Sequence, residues 1–457
     1  MSGLTLALIA YILIQLGVAI WASRRIGTDA DYLVAGRRLG VWSLGVSLFA
    51  TWFGGETVMG ASAAIAGQGL AGARAEPVGY ALCLAASALL VAGALRAKGY
   101  MTLADFFRDR FGARAEIAAA LVSIPTSVIW AAAQLIALSA LMSAVTDLPV
   151  TTTLIAAGAL VIVYTLLGGL LGDVITDVLQ SLVVLAGLII LFVLLIGRAG
   201  GVEAALSGIR PDQLVLVPSG ESWIERIDAF AIPILGSIVA QEMIARFLGA
   251  KTAKTAVRGG LMAGGLYLIV GVFPLAFGLI GASAGFDPGA GDLYLPLMAA
   301  ELLPSALFVV FIGALFSAVL STVDSALLAV SGLAAENLYA RVRRNAEAGE
   351  KLIAARALTV IAGLAALAVA FSGETIYALV ELASALGSAG LLVSLVIGLH
   401  TRFGGEWSAL AALAAGLVTI WLADWVFVIS GGFLLSIAAA ALAYGLAGFV
   451  RPQLNRA

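Results

Sequence analysis

The chain has 457 residues, of which 62% are hydrophobic and 11% charged, a balance that excludes a water-facing globular surface and places most of the chain in lipid. A formal net charge of −2 without any basic tract argues against a nucleic-acid partner. Cys83 and His400 are each the single residue of their type, which excludes a disulfide and a thiol- or imidazole-rich metal cluster.

Stretches of roughly 20 apolar residues predict thirteen helical membrane spans: 4–22, 41–66, 76–97, 115–145, 150–170, 173–197, 223–249, 257–284, 304–338, 352–372, 375–399, 407–422 and 424–449. The first reads as a retained helix, since Arg24 and Arg25 follow it and no basic residue precedes it. Only Ala423 and Asp424 divide the last two, which read either as two spans or as one re-entrant element. With the N-terminus outside and spans alternating, only Arg74, Arg198, Arg210 and Arg226 of the 25 lysines and arginines fall outside. The remaining 21 lie inside, the bias of cytoplasmic loops, and the C-terminus is then inside as well.

Span 2 carries ATWFGGETVMG, residues 50–60, with adjacent glycines and a carboxylate in mid-run. Span 7 carries PILGSIVAQE, residues 233–242, a second interrupted helix. Spans 2–6 and 7–11 form two groups of five, and an odd number forces the second group to run with opposite topology. The chain therefore reads as one transporter domain over 1–457: a first helix and loop (1–40), two inverted halves (41–200 and 223–400) and C-terminal helices (401–457). Broken helices in matching positions of inverted halves point to a midplane binding site, because unwound backbone is tolerated only where it lines a polar cavity. The alternative for Gly54 and Gly55 is helix packing.

Span 6 places Asp177, Gln180 and Ser181 on one face. Span 9 places Ala318, Ser321 and Thr322 on one face, and Ser321, Asp324 and Ser325 repeat that spacing one turn on. Such a face, with carbonyls freed near Ala50 and Phe53, can supply the oxygen shell that an alkali cation wants. The alternative is that the hydroxyls bond back to the preceding turn. An intramembrane aspartate calls for a partner, and the partner expected for Asp177 is the Ser321, Asp324 and Ser325 face, through a second cation or a proton. The other reading has Asp177 solvated near a helix end.

Glu56 and Glu242 stand just beyond the two breaks. Glu56 reads either as a cap on the second half of span 2 or as a receiver of an amine or a proton with Glu242. His400 reads as interfacial, Glu381 as a buried hydrogen bond or a gate, and Trp21, Trp223 and Trp425 as interfacial anchors. The amphipathic TLADFFRDRFG, residues 102–112, reads as a cytoplasmic surface helix with Arg108 and Arg110 in solvent.

DYLVAGRRLG (31–40), ATWFGGETVMG, KGYMTLADFFRDRFG (98–112), GGLLGDVITDVLQ (168–180) and FSAVLSTVDSALLAVSGLAAENLY (316–339) resemble the sodium:solute symporter family along most of the chain. SLFATWFGGE, GQGLAGARAEPVGYALCL, LRAKGYMTLADFF and VIWAAAQLIALSALMSAV are most similar to its high-affinity choline transporter branch. The resemblance implies an all-α polytopic membrane protein with thirteen helices and a leucine-transporter-type core of five plus five inverted spans. It implies no enzyme activity, a plasma or inner membrane location, and sodium-driven uptake of a small organic solute. Chloride is a further candidate ion, and the oligomeric state is left open.

Carried over by position, the common sodium site falls on the carbonyls of Ala50, Phe53 and Ala318 and the hydroxyls of Ser321 and Thr322. A second sodium or proton site falls on Asp177, Ser321, Asp324 and Ser325, where Asp324 departs from members with serine. The substrate set is Trp52, Gly54, Gly55, Glu56, Tyr80, Trp130, Gln241 and Glu242, with Trp52, Tyr80 and Trp130 as an aromatic cage for an ammonium. Ala240 and Val380 stand where the choline branch has aromatics, which counts against choline itself; Glu56 and Glu242 at the two breaks make a cationic or zwitterionic solute, choline-like or amino-acid-like, the expectation. The alternatives are proton-coupled transport, or a solute sensor or channel on the same scaffold.

Overall fold

The structure, a computed structural model, describes residues 28–73, 76–146, 148–343 and 348–450, with scattered positions between 6 and 21. Span 1 with Arg24 and Arg25 falls largely outside the described residues, as do Arg74, Arg344, Arg451 and Arg456. Among the described residues, nine helices are long and apolar enough to cross a bilayer, or eleven if each of two bent pairs counts as one span. They follow spans 3–13 in order, except that spans 5 and 6, expected as two, run as one continuous helix, Val150–Arg198. The last two are separate helices, Glu406–Trp421 and Gly432–Val450, that pack on each other, so the re-entrant reading is set aside.

Span 2 is not among them because it is interrupted. Its first half is the 12-residue helix Val41–Trp52, which ends at Phe53. The chain resumes as a wide helical turn at Glu56–Gly60 and continues as Ala61–Gln68. Span 7 is broken as its sequence predicts: Trp223–Leu235 passes through a tight turn at Gly236–Val239 and an extended Ala240 before Gln241–Leu248. The two segments meet at 44°. Span 11 is also broken, which the sequence reading did not anticipate. Ile376–Ala385 and Ser388–His400 meet at 44°, and Gly387 takes φ +73°, a left-handed conformation that favours glycine. The breaks of spans 7 and 11 nest, because a β-carbon on Gly236 would lie 2.1 Å from the Ser384 carbonyl oxygen.

The ends of the two broken spans that open the inverted halves are pinned together. Leu39, just before span 2, forms a parallel bridge with Ala250, just after span 7, through Leu39 N to Gly249 O (3.0 Å) and Lys251 N to Leu39 O (2.9 Å). Val41–Trp52 also packs along Ala253–Val270 in span 8.

Leu103–Phe111 is an amphipathic helix whose apolar face is covered by protein while Arg108 and Asp109 stay exposed. Thr102 caps it by accepting from Asp105 N (3.2 Å), and Asp105 Oδ2 accepts in return from Thr102 N (3.1 Å). Leu103, Phe106, Phe107 and Phe111 are buried in protein. Arg110, expected in solvent, donates to the carbonyls of Gly398, Thr401, Phe403 and Gly404, where span 11 ends and its last carbonyls need donors. Arg108 does remain exposed, 3.9 Å from the buried Glu116. His400 sits at the same end, its Nε2 2.9 Å from the Leu90 carbonyl oxygen.

Candidate functional site

The break in span 2 faces the hydroxylated side of span 9. Phe53 N to Phe49 O (2.8 Å) closes the first half-helix, and the carbonyls of its last turn lie beyond the intrahelical ladder. Trp52 O accepts from Thr57 Oγ1 at 3.1 Å, and Thr51 O lies 3.5 Å from Thr322 Oγ1. Thr322 Oγ1 also donates back to Ala318 O at 3.0 Å, so the back-bonding alternative and the inter-helix approach hold together. Ala318, Ser321 and Thr322 are all buried, as are Ala50 and Phe53.

The two glycines are required by packing. A β-carbon on Gly54 would meet Glu56 Oε2 at 2.7 Å and Gln134 Oε1 at 3.0 Å, and one on Gly55 would meet the Ala137 β-carbon at 2.4 Å. Gln134 in span 4 bridges the break: its Oε1 accepts from Gly55 N (3.0 Å) and its Nε2 donates to Glu56 Oε2 (2.6 Å). Overpacking typically costs about 1–3 kcal/mol, so Gly55→Ala is expected to lower thermal stability by that order. Melting of the detergent-purified chain measures it, and an unshifted transition would mean that the contact with Ala137 relaxes freely.

Below the break lies a buried ionic network that the sequence reading identified only in part. Asp177 is fully buried, which removes the reading in which it is solvated. Its carboxylate accepts from Ser47 Oγ (2.5 Å) and from Ser321 Oγ, and lies 3.5 Å from Arg246 Nη2. Ser325, expected beside Asp177, instead donates to Asp173 Oδ2 (2.6 Å). Arg246 is fully buried and donates to Asp173 (2.7 Å), Ser325 (2.8 Å), Ser47 (2.9 Å) and the Glu242 carbonyl (3.4 Å). Asp324 is buried with no hydrogen bond to either carboxylate oxygen, beside Thr165.

Aromatic and acidic side chains line the other side of span 2. Trp52 and Trp130 meet at 5.7 Å between centroids, and Tyr267 sets its ring edge-on to Tyr80 and Phe53, each at 5.8 Å. Trp52 Nε1 and Trp130 Nε1 have no hydrogen bond. The Tyr267 hydroxyl donates to Glu76 at 2.9 Å, and Thr57 Oγ1 contacts the same carboxylate at 3.1 Å. Glu76 and Tyr267, neither singled out from the sequence, thus join Glu56, Trp52 and Tyr80 here. Gln241 is turned away from this wall, its Oε1 accepting from Leu103 N at 2.9 Å. Glu242 borders a cavity shared with Trp130 and Ser384. Glu381 borders two further cavities, one reaching Pro218 and Glu221 in the span 6 to span 7 connection and one lined by Tyr80, Pro233 and Tyr377.

Residues 32–418 match the model of the sodium:solute symporter family. High affinity choline transporter 1 from Homo sapiens is 30% identical over 91% of this chain and 76% of its own length. The Drosophila melanogaster high-affinity choline transporter 1 is 30% identical over 88% of this chain and 67% of its own. In fold, the chain matches an outward-open, substrate-bound sodium-coupled sialic acid symporter with TM-score 0.83 and 20% identity, covering 99% of this chain and 98% of the other. A nucleobase-cation-symport-1 family transporter matches with TM-score 0.60 and 17% identity over 94% and 96%. Its packing, the inverted-repeat arrangement of leucine-transporter-type folds, is shared here. Family and fold are those of transporters rather than enzymes, with a small solute, sodium and the lipid bilayer as partners. This chain belongs to the sodium:solute symporter family.

Proposed function

We propose that the chain is a symporter that imports a small cationic or zwitterionic solute with sodium, by alternating access, through one domain of thirteen helices with its N-terminus outside and C-terminus inside. The count joins the eleven spans above to the interrupted 41–66 and to 4–22; the orientation rests on the distribution of basic residues. The halves 41–200 and 223–400 are the inverted repeats. The approach of Thr322 Oγ1 to Thr51 O across the break of span 2 carries this reading. Sodium would sit among the carbonyls of Ala50, Phe53 and Ala318 and the hydroxyls of Ser321 and Thr322. Ser321 and Thr322 each spend a proton on a neighbouring acceptor, which leaves oxygen lone pairs for a cation. Occupancy would join span 2 to span 9, and release inside would let them separate.

Thr322→Ala removes one oxygen of five. An interaction with a charged group contributes about 1.5–3 kcal/mol, so the sodium requirement for uptake into proteoliposomes is expected to rise by about tenfold or more. Uptake that needs no sodium gradient would overturn the reading. For the second site at Asp177, Ser321, Asp324 and Ser325, the bare carboxylate of Asp324 supports a proton or a second sodium.

The substrate is assigned to Trp52, Gly54, Gly55, Glu56, Tyr80, Trp130 and Glu242; Gln241, whose Oε1 is taken by Leu103 N, is left out. The cationic assignment draws on the choline transporters among the relatives and on the carboxylates Glu56, Glu76 and Glu242.

A further inference from the structure

We propose that the solute is an ammonium that carries N–H bonds, a protonated primary amine rather than a quaternary one, held by Glu242 in the cavity between spans 4, 7 and 11. This deepens the transport reading above and rests on it. The cavity's polar lining comes from three directions: Ser127 and Trp130 from span 4, Ser237 and Glu242 from span 7, and Ser384 and Ser388 from span 11.

Glu242 is placed there by the break in its own span. Ala240 is extended (φ −61°, ψ 123°) and the helix restarts at Gln241, so Glu242 stands in the first turn of the second half, where the helix dipole favours a carboxylate. It is only 5% exposed; Ser127 hydrogen-bonds its carboxylate, while Oε1 accepts no hydrogen bond. A buried carboxylate oxygen without a donor calls for one that the protein does not itself supply. The four serines add acceptors. Ser237 and Ser384 share one contact at 3.2 Å, and Ser388 donates to the Ala385 carbonyl (3.2 Å), so hydroxyl lone pairs remain for a visiting N–H.

Charge alone does not separate an amine from a quaternary ammonium, but the lining does. A quaternary group has no donor and is held by π faces. Here Trp130 is the aromatic in the lining, and the positions where a cage would close are Ala240, on the cavity wall, and Val380, buried nearby. N-methyl groups would cover the serines and the carboxylate without satisfying them, and a site built to receive hydrogen bonds discriminates strongly against an analogue that lacks them. Glu242 also lines a second cavity, with Arg246, Ser325 and Gly332.

The test is a matched series, ethanolamine, its N-methyl and N,N-dimethyl derivatives and choline, titrated against the detergent-purified full chain in saturating sodium, with thermal stabilisation as the readout. Sodium-driven uptake of the same compounds is followed in proteoliposomes. Affinity is expected to fall with each methyl group, ethanolamine binding at least about tenfold more tightly than choline. Glu242→Gln is expected to flatten the series. Ser384→Ala, which is less demanding on folding, is expected to weaken ethanolamine several-fold and leave choline unchanged. Choline binding as tightly as ethanolamine, or a series unaltered in both variants, overturns the proposal while leaving sodium-driven transport intact. Binding of no amine, with sodium-driven uptake of an anionic or neutral solute, overturns it together with the cationic assignment. Absence of sodium-driven uptake for every class of solute sinks the transport reading itself.

Discussion

Arg246→Ala is expected to lower the stability of the folded chain by about 3–5 kcal/mol, the range found when one partner of a buried ion pair is removed. Arg246 is fully buried, and its guanidinium joins Asp173, Asp177, Ser47 and Ser325, which come from three spans. Truncation would leave two buried carboxylates without their cation and would open a cavity the size of the side chain. Arg246→Lys keeps the charge but not the planar fork, so it should retain part of the stability and lose the simultaneous contacts to Ser47 and Asp173. The origin of the loss can be isolated by adding Asp173→Asn. If unpaired charge dominates, the double variant melts above Arg246→Ala alone; if lost volume dominates, it does not. A melting transition of Arg246→Ala within about a degree of the parent would show that the network contributes nothing to the fold.

The membrane spans were legible because apolar length is a strong, local signal, and the interrupted helices because glycines and carboxylates stand out inside it. Asp177, Ser321 and Thr322 were legible for a related reason: helical spacing reports which residues share a face. What spacing cannot report is the rotation and depth at which one helix meets another. Arg246 lies four residues beyond Glu242 and Asp173 four before Asp177, so each was visible as a same-face neighbour. Their union across spans 6 and 7 was not. Ser325 was expected at Asp177 and lies at Asp173 for the same reason: one helical turn separates the two carboxylates, and register decides which is met. Glu76 lay hidden at a span boundary, where an acidic residue ordinarily reads as solvated; Tyr267, 191 positions away, turns it into a buried group. The amphipathic helix teaches a further point. Amphipathicity tells that one face of Leu103–Phe111 is covered, and the cover is protein rather than lipid headgroups. The break in span 11 escaped because Gly387 lies in a run rich in small residues, and only its left-handed φ distinguishes it from a packing glycine.

Asp324→Asn is expected to make the protein more stable in sodium-free buffer and less responsive to cations. Both carboxylate oxygens of Asp324 are buried without a hydrogen bond, although Thr165, whose hydroxyl is also unpaired, lies beside it. An ionised carboxylate in that position carries a desolvation penalty of several kcal/mol, even after relaxation. Asparagine keeps the shape, removes the charge and brings an N–H that the Thr165 oxygen can accept, so a gain of about 1–3 kcal/mol is expected without sodium. The parent should then recover the difference as its missing positive charge is supplied. If that charge is sodium, the two melting curves converge as sodium rises, the parent gaining about 1.4 kcal/mol for each tenfold excess over its dissociation constant. If it is a proton, the curves converge as pH falls at constant sodium, because the parent alone takes up the proton. Convergence under neither titration, with the variant less stable throughout, would mean that Asp324 is held by the protein itself and that the second coupling site must lie elsewhere.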